Sequence, residues 1–297
     1  MAALSLLGLL LVACGGRSGA DPSRIQVVAA ENEYADVVAQ VGGPYVQATA
    51  IMSNPNTDPH AFEASPKIAE EVGAAALVVR NGLGYDGFMT QVERATENAD
   101  RRSIDVQHLL GLPDSTPNPH LWYRPATMPA VAAKVARDLA ALDPAHRSYF
   151  QGRAATFDRS LDSWMRAIQT LKADYPGAPV AVTEPVPDYL LQAAGLADRT
   201  PWELQAEIMN GVDLSPQNVT LEENLFRQHQ VRVLLYNEQV TDSVTETFRS
   251  IAQESGIPVV GVYETMPSGY TYQSWMVAET QAIRRALSAH RSTPRLS

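Results

Sequence analysis

Four metal-ligating side chains share one setting in this chain: each follows a short apolar run that reads as a β-strand. His60 lies in Asn54-Pro55-Asn56-Thr57-Asp58-Pro59-His60-Ala61-Phe62-Glu63, after the run Val46 to Ile51. Two prolines and three Asn or Asp residues force irregular backbone there, because proline fixes φ and offers no N–H. The ending returns as Asn118-Pro119-His120 after Ser103 to Val106, and the chain has six histidines in all. Glu184 closes Val180 to Thr183, and Glu264 follows Val259 to Val262. Singly, a loop histidine or glutamate reads as a surface residue. Together, imidazoles and carboxylates at strand ends suit a divalent transition ion held in a cleft. Glu238, after Val231 to Tyr236, rivals Glu264, and spacing alone leaves the two open.

The elements that would position them alternate. Ile25 to Ala29, Val46 to Ile51, Leu77 to Arg80 and Ser103 to Val106 are four strand candidates with helical stretches between. Ser65-Pro66 starts one helix, as N-cap and first-turn proline, and another spans Phe88 to Ala95. Such alternation predicts a parallel sheet. Thr127 to Leu142 is Ala-rich and helical, and Asp143-Pro144 opens a longer helix. Its apolar positions Phe150, Phe157, Leu161, Trp164, Ile168, Leu171 and Tyr175 lie on one helical face, uninterrupted until Pro176. At 1.5 Å per residue it would run ~45 Å. A coiled-coil seam is the other reading; a helix laid across two lobes is preferred, because αβ units resume with Val180 to Thr183, Gln205 to Ile208, Val231 to Tyr236 and Val259 to Val262. The fold expected is α/β: two lobes, each a mainly parallel four-stranded sheet flanked by helices, joined by one long backbone helix. A helix is stiff, so no large domain closure is expected.

The length favours two domains, and 45% apolar with 19% charged residues is ordinary for a globular core. A net charge of −10 argues against nucleic acid or a polybasic membrane patch and fits a cationic ligand. Ala2 to Val12 is apolar but too short to span a ~30 Å hydrocarbon core, and reads as the h-region of a secretory signal. The single cysteine, Cys14, follows Leu11-Val12-Ala13 and precedes Gly15-Gly16, where a bacterial lipoprotein signal places its lipidated cysteine. With no other thiol, disulfides and thiolate metal sites are excluded. The expected divisions are a signal at 1–13, a lipidated tether at 14–23, an N-terminal lobe at 24–126, linking helices at 127–176, a C-terminal lobe at 177–291 and a tail at 292–297.

The chain resembles the solute-binding lipoproteins of metal-specific ABC importers, the cluster A-I family of manganese and zinc binders. The resemblance rests on Asn56 to Glu63, Asn118-Pro119-His120-Leu121-Trp122, the Asp143-Pro144 helix, Tyr189 to Leu196 and Gly256-Ile257-Pro258-Val259-Val260. It implies two α/β lobes, a backbone helix and one buried ion between the lobes, with His60, His120, Glu184 and Glu264 on the four ligand positions. It further implies an ABC permease as partner, an extracytoplasmic location on a lipid anchor, a monomer, and no catalysis. Two departures stand out: the last ligand is usually Asp, and Val106 to Pro117 holds only His108 and Asp114 where zinc importers often carry a His-rich loop.

Other motifs carry less. Asn81-Gly82-Leu83-Gly84-Tyr85 lacks what would complete a phosphate loop; by analogy Asn81 and Tyr85 belong near the cleft floor. Trp122, Tyr272 and Trp275 read as packing residues, and His108, His146, His229 and His290 as solvated. A secreted zinc hydrolase would need an open water position and a general base, and no HExxH helix is present. A surface adhesin of the same fold is the third class, which nothing here encodes separately. Two imidazoles and two carboxylates offer up to six donor atoms and suit manganese, whereas the Irving–Williams order favours zinc. The expectation is zinc binding at least as tightly in vitro and manganese as the transported ion, with binding weakening below about pH 6 as the ligands protonate.

Overall fold

The computed structural model describes residues 23–54, 62 and 64–296. The N-terminal half runs β1 (Ile25–Glu31), α1 (Asn32–Gly42), β2 (Val46–Met52), α2 (Pro66–Ala74), β3 (Leu77–Arg80), α3 (Gly87–Ala95), β4 (Arg102–Asp105) and α4 (Val106–Leu109). Helices α5 (Thr127–Leu142), α6 (Arg147–Ser160) and α7 (Asp162–Asp174) follow. The C-terminal half runs β5 (Pro179–Val182), α8 (Asp188–Ala193), β6 (Ala197–Asp198), α9 (Trp202–Met209), α10 (Pro216–Arg227), β7 (Leu234–Asn237), α11 (Ser243–Glu254), β8 (Val259–Val262) and α12 (Tyr272–Ala289).

The two four-stranded sheets have the same topology, β2-β1-β3-β4 and β6-β5-β7-β8, with every pair parallel. Parallel strands are covered on both faces, so they read as continuous apolar runs. The alternation of side chains is visible in the cores. Val27 and Ala29 face the large central core, while Val28 and Ala30 face a smaller one beneath α2 and α3. In β7, Leu235 joins the central core and Leu234 and Tyr236 a third one under α10 and α11. In each sheet the strand order reverses between the first and third strands, and crevices for ligands open at such points. There β1 ends at Glu31 beside Asn81 just past β3; in the other sheet Glu184 stands just past β5 beside Asn237, the last residue of β7.

The expected backbone helix is α6 followed by α7. Leu161 between them keeps φ −77° and ψ −10°, within the right-handed region. Its N–H meets the Asp158 carbonyl at 3.1 Å and its carbonyl receives Met165 N–H at 2.9 Å, so the helix tightens for a turn without ending. Phe150, Phe157, Leu161, Trp164, Ile168 and Leu171 are buried in one core. Through that face α6 packs on α1 and α5, and α7 on α12. The core is therefore continuous between the lobes through this rod.

One expected strand is a helix. Gln205 to Ile208 lies inside α9, where Leu204, Gln205, Ile208 and Met209 are buried at helical spacing. The fourth strand of that sheet is instead β6, two residues pairing Pro179 with Ala197 and Val180 with Asp198. A four-residue run is too short for its period to separate helix from strand. Two residues paired on a sheet edge carry no apolar signal at all. Among the described residues no helix is long and apolar enough to cross a membrane.

Candidate metal centre

His120 is set by its own motif. Asn118 turns its amide nitrogen to the Pro185 carbonyl at 2.6 Å, which fixes the amide orientation and leaves Oδ1 to accept. That oxygen receives His120 N–H at 2.9 Å and lies 2.8 Å from Nδ1. Because Asn Oδ1 only accepts, Nδ1 carries the proton and Nε2 faces the cleft, the arrangement a metal-ligating imidazole requires. Proline at 119 fixes the approach, and its carbonyl is held by Asn81 Nδ2 at 2.8 Å. Tyr85 and Trp122 pack edge-on to the imidazole and to each other, with His120–Trp122 centroids 5.4 Å apart. His120 is fully buried.

Glu264 reaches the same point from the other sheet. Its Oε2 lies 3.3 Å from His120 Nε2 and accepts the Tyr85 hydroxyl at 3.0 Å. Its Oε1 accepts Asn237 Nδ2 at 2.7 Å, and the same amide nitrogen donates to Glu184 Oε2. Gln239 Oε1 caps the loop by accepting Glu264 N–H at 2.6 Å and Thr265 N–H at 2.7 Å. Asn32 at the start of α1 pins Met266 through both backbone groups, at 2.9 and 2.8 Å. Glu184 and Glu264 are each 1% exposed. The structure thus joins three of the four expected residues into one buried network, His120 and Glu264 directly and Glu184 through Asn237. Among the described residues no three His, Cys, Asp or Glu side chains converge closely enough to hold an ion. His60 and Cys14 lie outside the described residues.

The electrostatics are strongly acidic. Burial raises Glu33, with Glu264 adding to the effect, and burial raises Glu31, with Asp86 and Glu33 adding. Asp86 is pushed to about 6 by burial, against the opposing N–H groups of Gly82 and Asn81. Burial and then Glu264 raise Tyr85, keeping it a phenol that donates. Burial thus favours the neutral form of these carboxyls, and a cation placed among them would favour the ionised form.

Glu238 is turned elsewhere. Its Oε2 lies 3.5 Å from Arg295 Nε, on the opposite side of β7 from Asn237, as strand alternation dictates. Trp122, Tyr272 and Trp275 are core residues, and His229 and His290 are exposed. His108 is exposed beside Asp105. His146, expected to be solvated, is half-buried, stacked on Tyr45 at 3.8 Å. Sequence reasoning missed Asn237, Gln239, Glu31, Glu33 and Asp86. The signal for Asn237 is its place as the last residue of a buried strand, one position before Glu238.

Residues 27–286 match the family model ZnuA, described as zinc-uptake complex component A, periplasmic. The chain belongs to the ZnuA family. The members are metal-binding substrate-binding proteins of ABC transporters. Among curated relatives, the manganese ABC transporter substrate-binding lipoprotein PsaA of Streptococcus anginosus is 25% identical, over 96% of each chain. Among solved structures, the periplasmic zinc-binding protein TroA of Treponema pallidum superposes with TM-score 0.75 at 18% identity, over 90% of this chain and 99% of that one. FpvC of Pseudomonas aeruginosa, solved in complex with Mn2+, also gives 0.75, at 19% identity, over 90% and 99%. These structures share the fold of two parallel sheets flanked by helices.

Proposed function

We propose that this protein captures one divalent transition ion outside the cytoplasm and delivers it to a membrane permease of an ABC importer, without catalysing a reaction. The observation that carries the reading is the direct contact of His120 Nε2 with Glu264 Oε2 in a buried crevice. A cation seated between them would gain a nitrogen and an oxygen donor at once. The proposed ligands are His60, His120, Glu184 and Glu264. The Glu264–Tyr85 and Asn118–Pro185 bonds hold the two lobes' ligand loops in register before the ion arrives.

Anchoring is proposed through a lipid on Cys14, as the lipoprotein names of relatives such as PsaA and FimA suggest. Manganese is the proposed cargo, with zinc binding at least as tightly in vitro, as the Irving–Williams order requires of such donors. The test is the metal content of protein purified without added metal, followed by competition titration with manganese and zinc. Submicromolar binding of one ion per chain is expected; a protein that binds neither ion defeats the proposal. Deleting the gene and measuring cellular metal identifies the cargo. A loss of zinc with unchanged manganese would assign the cargo to zinc and leave the fold and ligands standing.

A further inference from the structure

His120 Nε2 and Glu264 Oε2 stand 3.3 Å apart. Two donors each about 2.1 Å from a zinc-sized ion lie about 3.0–3.4 Å from one another, so the pair already has coordination spacing. A carboxylate oxygen has two lone pairs, and Oε2 can face the ion with one while the other takes the Tyr85 hydroxyl. What holds the spacing lies behind the pair. Tyr123 ends the short helical turn Leu121–Tyr123 that follows His120, and its N–H closes that turn on the His120 carbonyl at 3.2 Å. Its hydroxyl donates to the Tyr263 carbonyl at 2.9 Å and accepts the Tyr263 N–H at 3.3 Å, which occupies both backbone groups of the residue before Glu264. Tyr123 is fully buried, and its ring packs edge-on to Trp275 with centroids 5.7 Å apart. The turn is tied a second time, where the Tyr272 hydroxyl donates to the Trp122 carbonyl at 2.6 Å.

We propose that Tyr123 is a positioning residue for metal capture, a reading that rests on the metal-capture function above: its hydroxyl ties the turn that carries His120 to the backbone that carries Glu264 and keeps the two donors at coordination spacing before the ion arrives. The tie touches no atom of either donor side chain, unlike Tyr85 and Asn118, which bond to Glu264 and His120 directly. Without it the two loops gain freedom, and only a fraction of molecules holds both donors in place at once. The apparent affinity falls by that fraction. Once bound, the ion itself bridges the two loops and stands in for the tie, so its escape is little changed. The loss therefore falls on capture and not on release.

The test compares the wild type with Tyr123→Phe by stopped-flow capture of zinc and by release of zinc into excess chelator, each beside a melt of the metal-free protein. Tryptophan fluorescence follows both steps, because Trp122 packs edge-on to His120. Tyr123→Phe keeps the ring, and Glu279 Oε2 keeps the Trp275 indole N–H at 3.0 Å, so the buried acid still has a partner. Should the variant fold poorly, Tyr123→Phe combined with Glu279→Gln removes the acid as well and carries the same expectation. The association rate is expected to fall about tenfold and the release rate to change by less than about twofold, a rise in Kd at the low end for groups that support metal ligands. Tyr236→Phe is the control. It deletes the hydroxyl of another buried tyrosine, bonded to Glu246 at 3.1 Å in the separate core under α10 and α11, and should leave both rates unchanged. An unchanged association rate, or an affinity loss carried by faster release as general loosening gives, overturns the role of Tyr123 and leaves metal capture intact. Failure of the wild type to bind zinc overturns metal capture itself.

Discussion

Tyr123 and Glu279, 156 positions apart, share a 3.0 Å hydrogen bond in the buried zone behind the Glu264 loop. The Tyr123 hydroxyl has one proton and two acceptors in reach, Glu279 Oε2 and the Tyr263 carbonyl at 2.9 Å. A protonated Glu279 resolves the conflict by donating to Tyr123, which then serves the carbonyl next to Glu264. Burial pushes Glu279 up to about 8, against the Tyr123 and Trp275 hydrogen bonds that pull it down.

That proton predicts a pH-dependent stability. The folded-state pKa of Glu279 lies above the unfolded value, so the native state holds the extra proton between roughly pH 4.5 and 8. Stability is complete below that window and is lost as pH rises through it, by about 1.4 kcal/mol per pH unit. Glu279→Gln is neutral throughout and escapes the loss. Measured by urea unfolding, the variant should gain on the wild type by on the order of 4 kcal/mol between pH 5 and pH 8, and no further above. A gap that stays constant across that range would show that Glu279 is ionised in the fold.

Gly261 predicts a packing cost with a built-in control. A Cβ there would stand 2.0 Å from the Pro294 carbonyl oxygen and 3.0 Å from Glu238 Cγ. The tail lies along β8, with Thr293 N–H on the Val259 carbonyl at 2.9 Å and Gly261 N–H on the Thr293 carbonyl at 3.0 Å. Gly261→Ala should cost about 1–3 kcal/mol, because overpacking against backbone cannot relax cheaply. Removing residues 292–297 should abolish most of that increment, since the tail supplies the clash. If the cost is the same with and without the tail, the close approach to Pro294 is not its source.

How far the sequence spoke depended on how much apolar side chain each element carries. Leu77–Arg80 and Val259–Val262 were legible to the residue, because strands buried on both faces must be continuous apolar runs. The helix from Asp143 was legible from its apolar stripe, whereas its tightening at Leu161 leaves no trace in residue type. Strand β6 was invisible and its place was given to Gln205 to Ile208, which buries one helical face in α9. At the candidate site, His120, Glu184 and Glu264 were expected from their places after strands, with Glu264 preferred to Glu238 only through the family resemblance, and the fold joins the three in one buried network. The amides that hold them could not be expected, since Asn237 and Gln239 act through contacts 53 and 25 positions away. Glu31 and Glu33 flank Asn32, an ordinary helix-start pattern whose burial only the fold reveals.

The proposed anchor gives a prediction independent of the fold. Mass spectrometry of the native protein should find a diacylglyceryl cysteine at position 14 and no residues before it. Cys14→Ser should release the protein from the membrane fraction while leaving metal affinity unchanged, because the site is assembled from residues far along the chain. Retention of the serine variant in washed membranes would rule out the lipid as the anchor.

The ligand set is tested by metal-induced stabilisation. An ion bound only by the native state stabilises it by RT ln(1 + [L]/Kd), about 4 kcal/mol at a thousandfold excess over Kd. His60→Ala and His120→Ala should abolish most of the metal-induced rise in melting temperature, and Glu184→Ala much of it. Glu264→Ala should do the same, since this carboxylate meets His120 Nε2 at 3.3 Å in the cleft. Glu238→Ala serves as the matched control: its carboxylate faces Arg295 and should leave the metal-induced shift untouched. Tyr85→Phe removes the hydroxyl that holds Glu264 Oε2 without removing a proposed ligand, so it should reduce the shift and not eliminate it. Loss of the shift in Glu238→Ala together with its survival in Glu264→Ala would move the fourth ligand to the other side of β7.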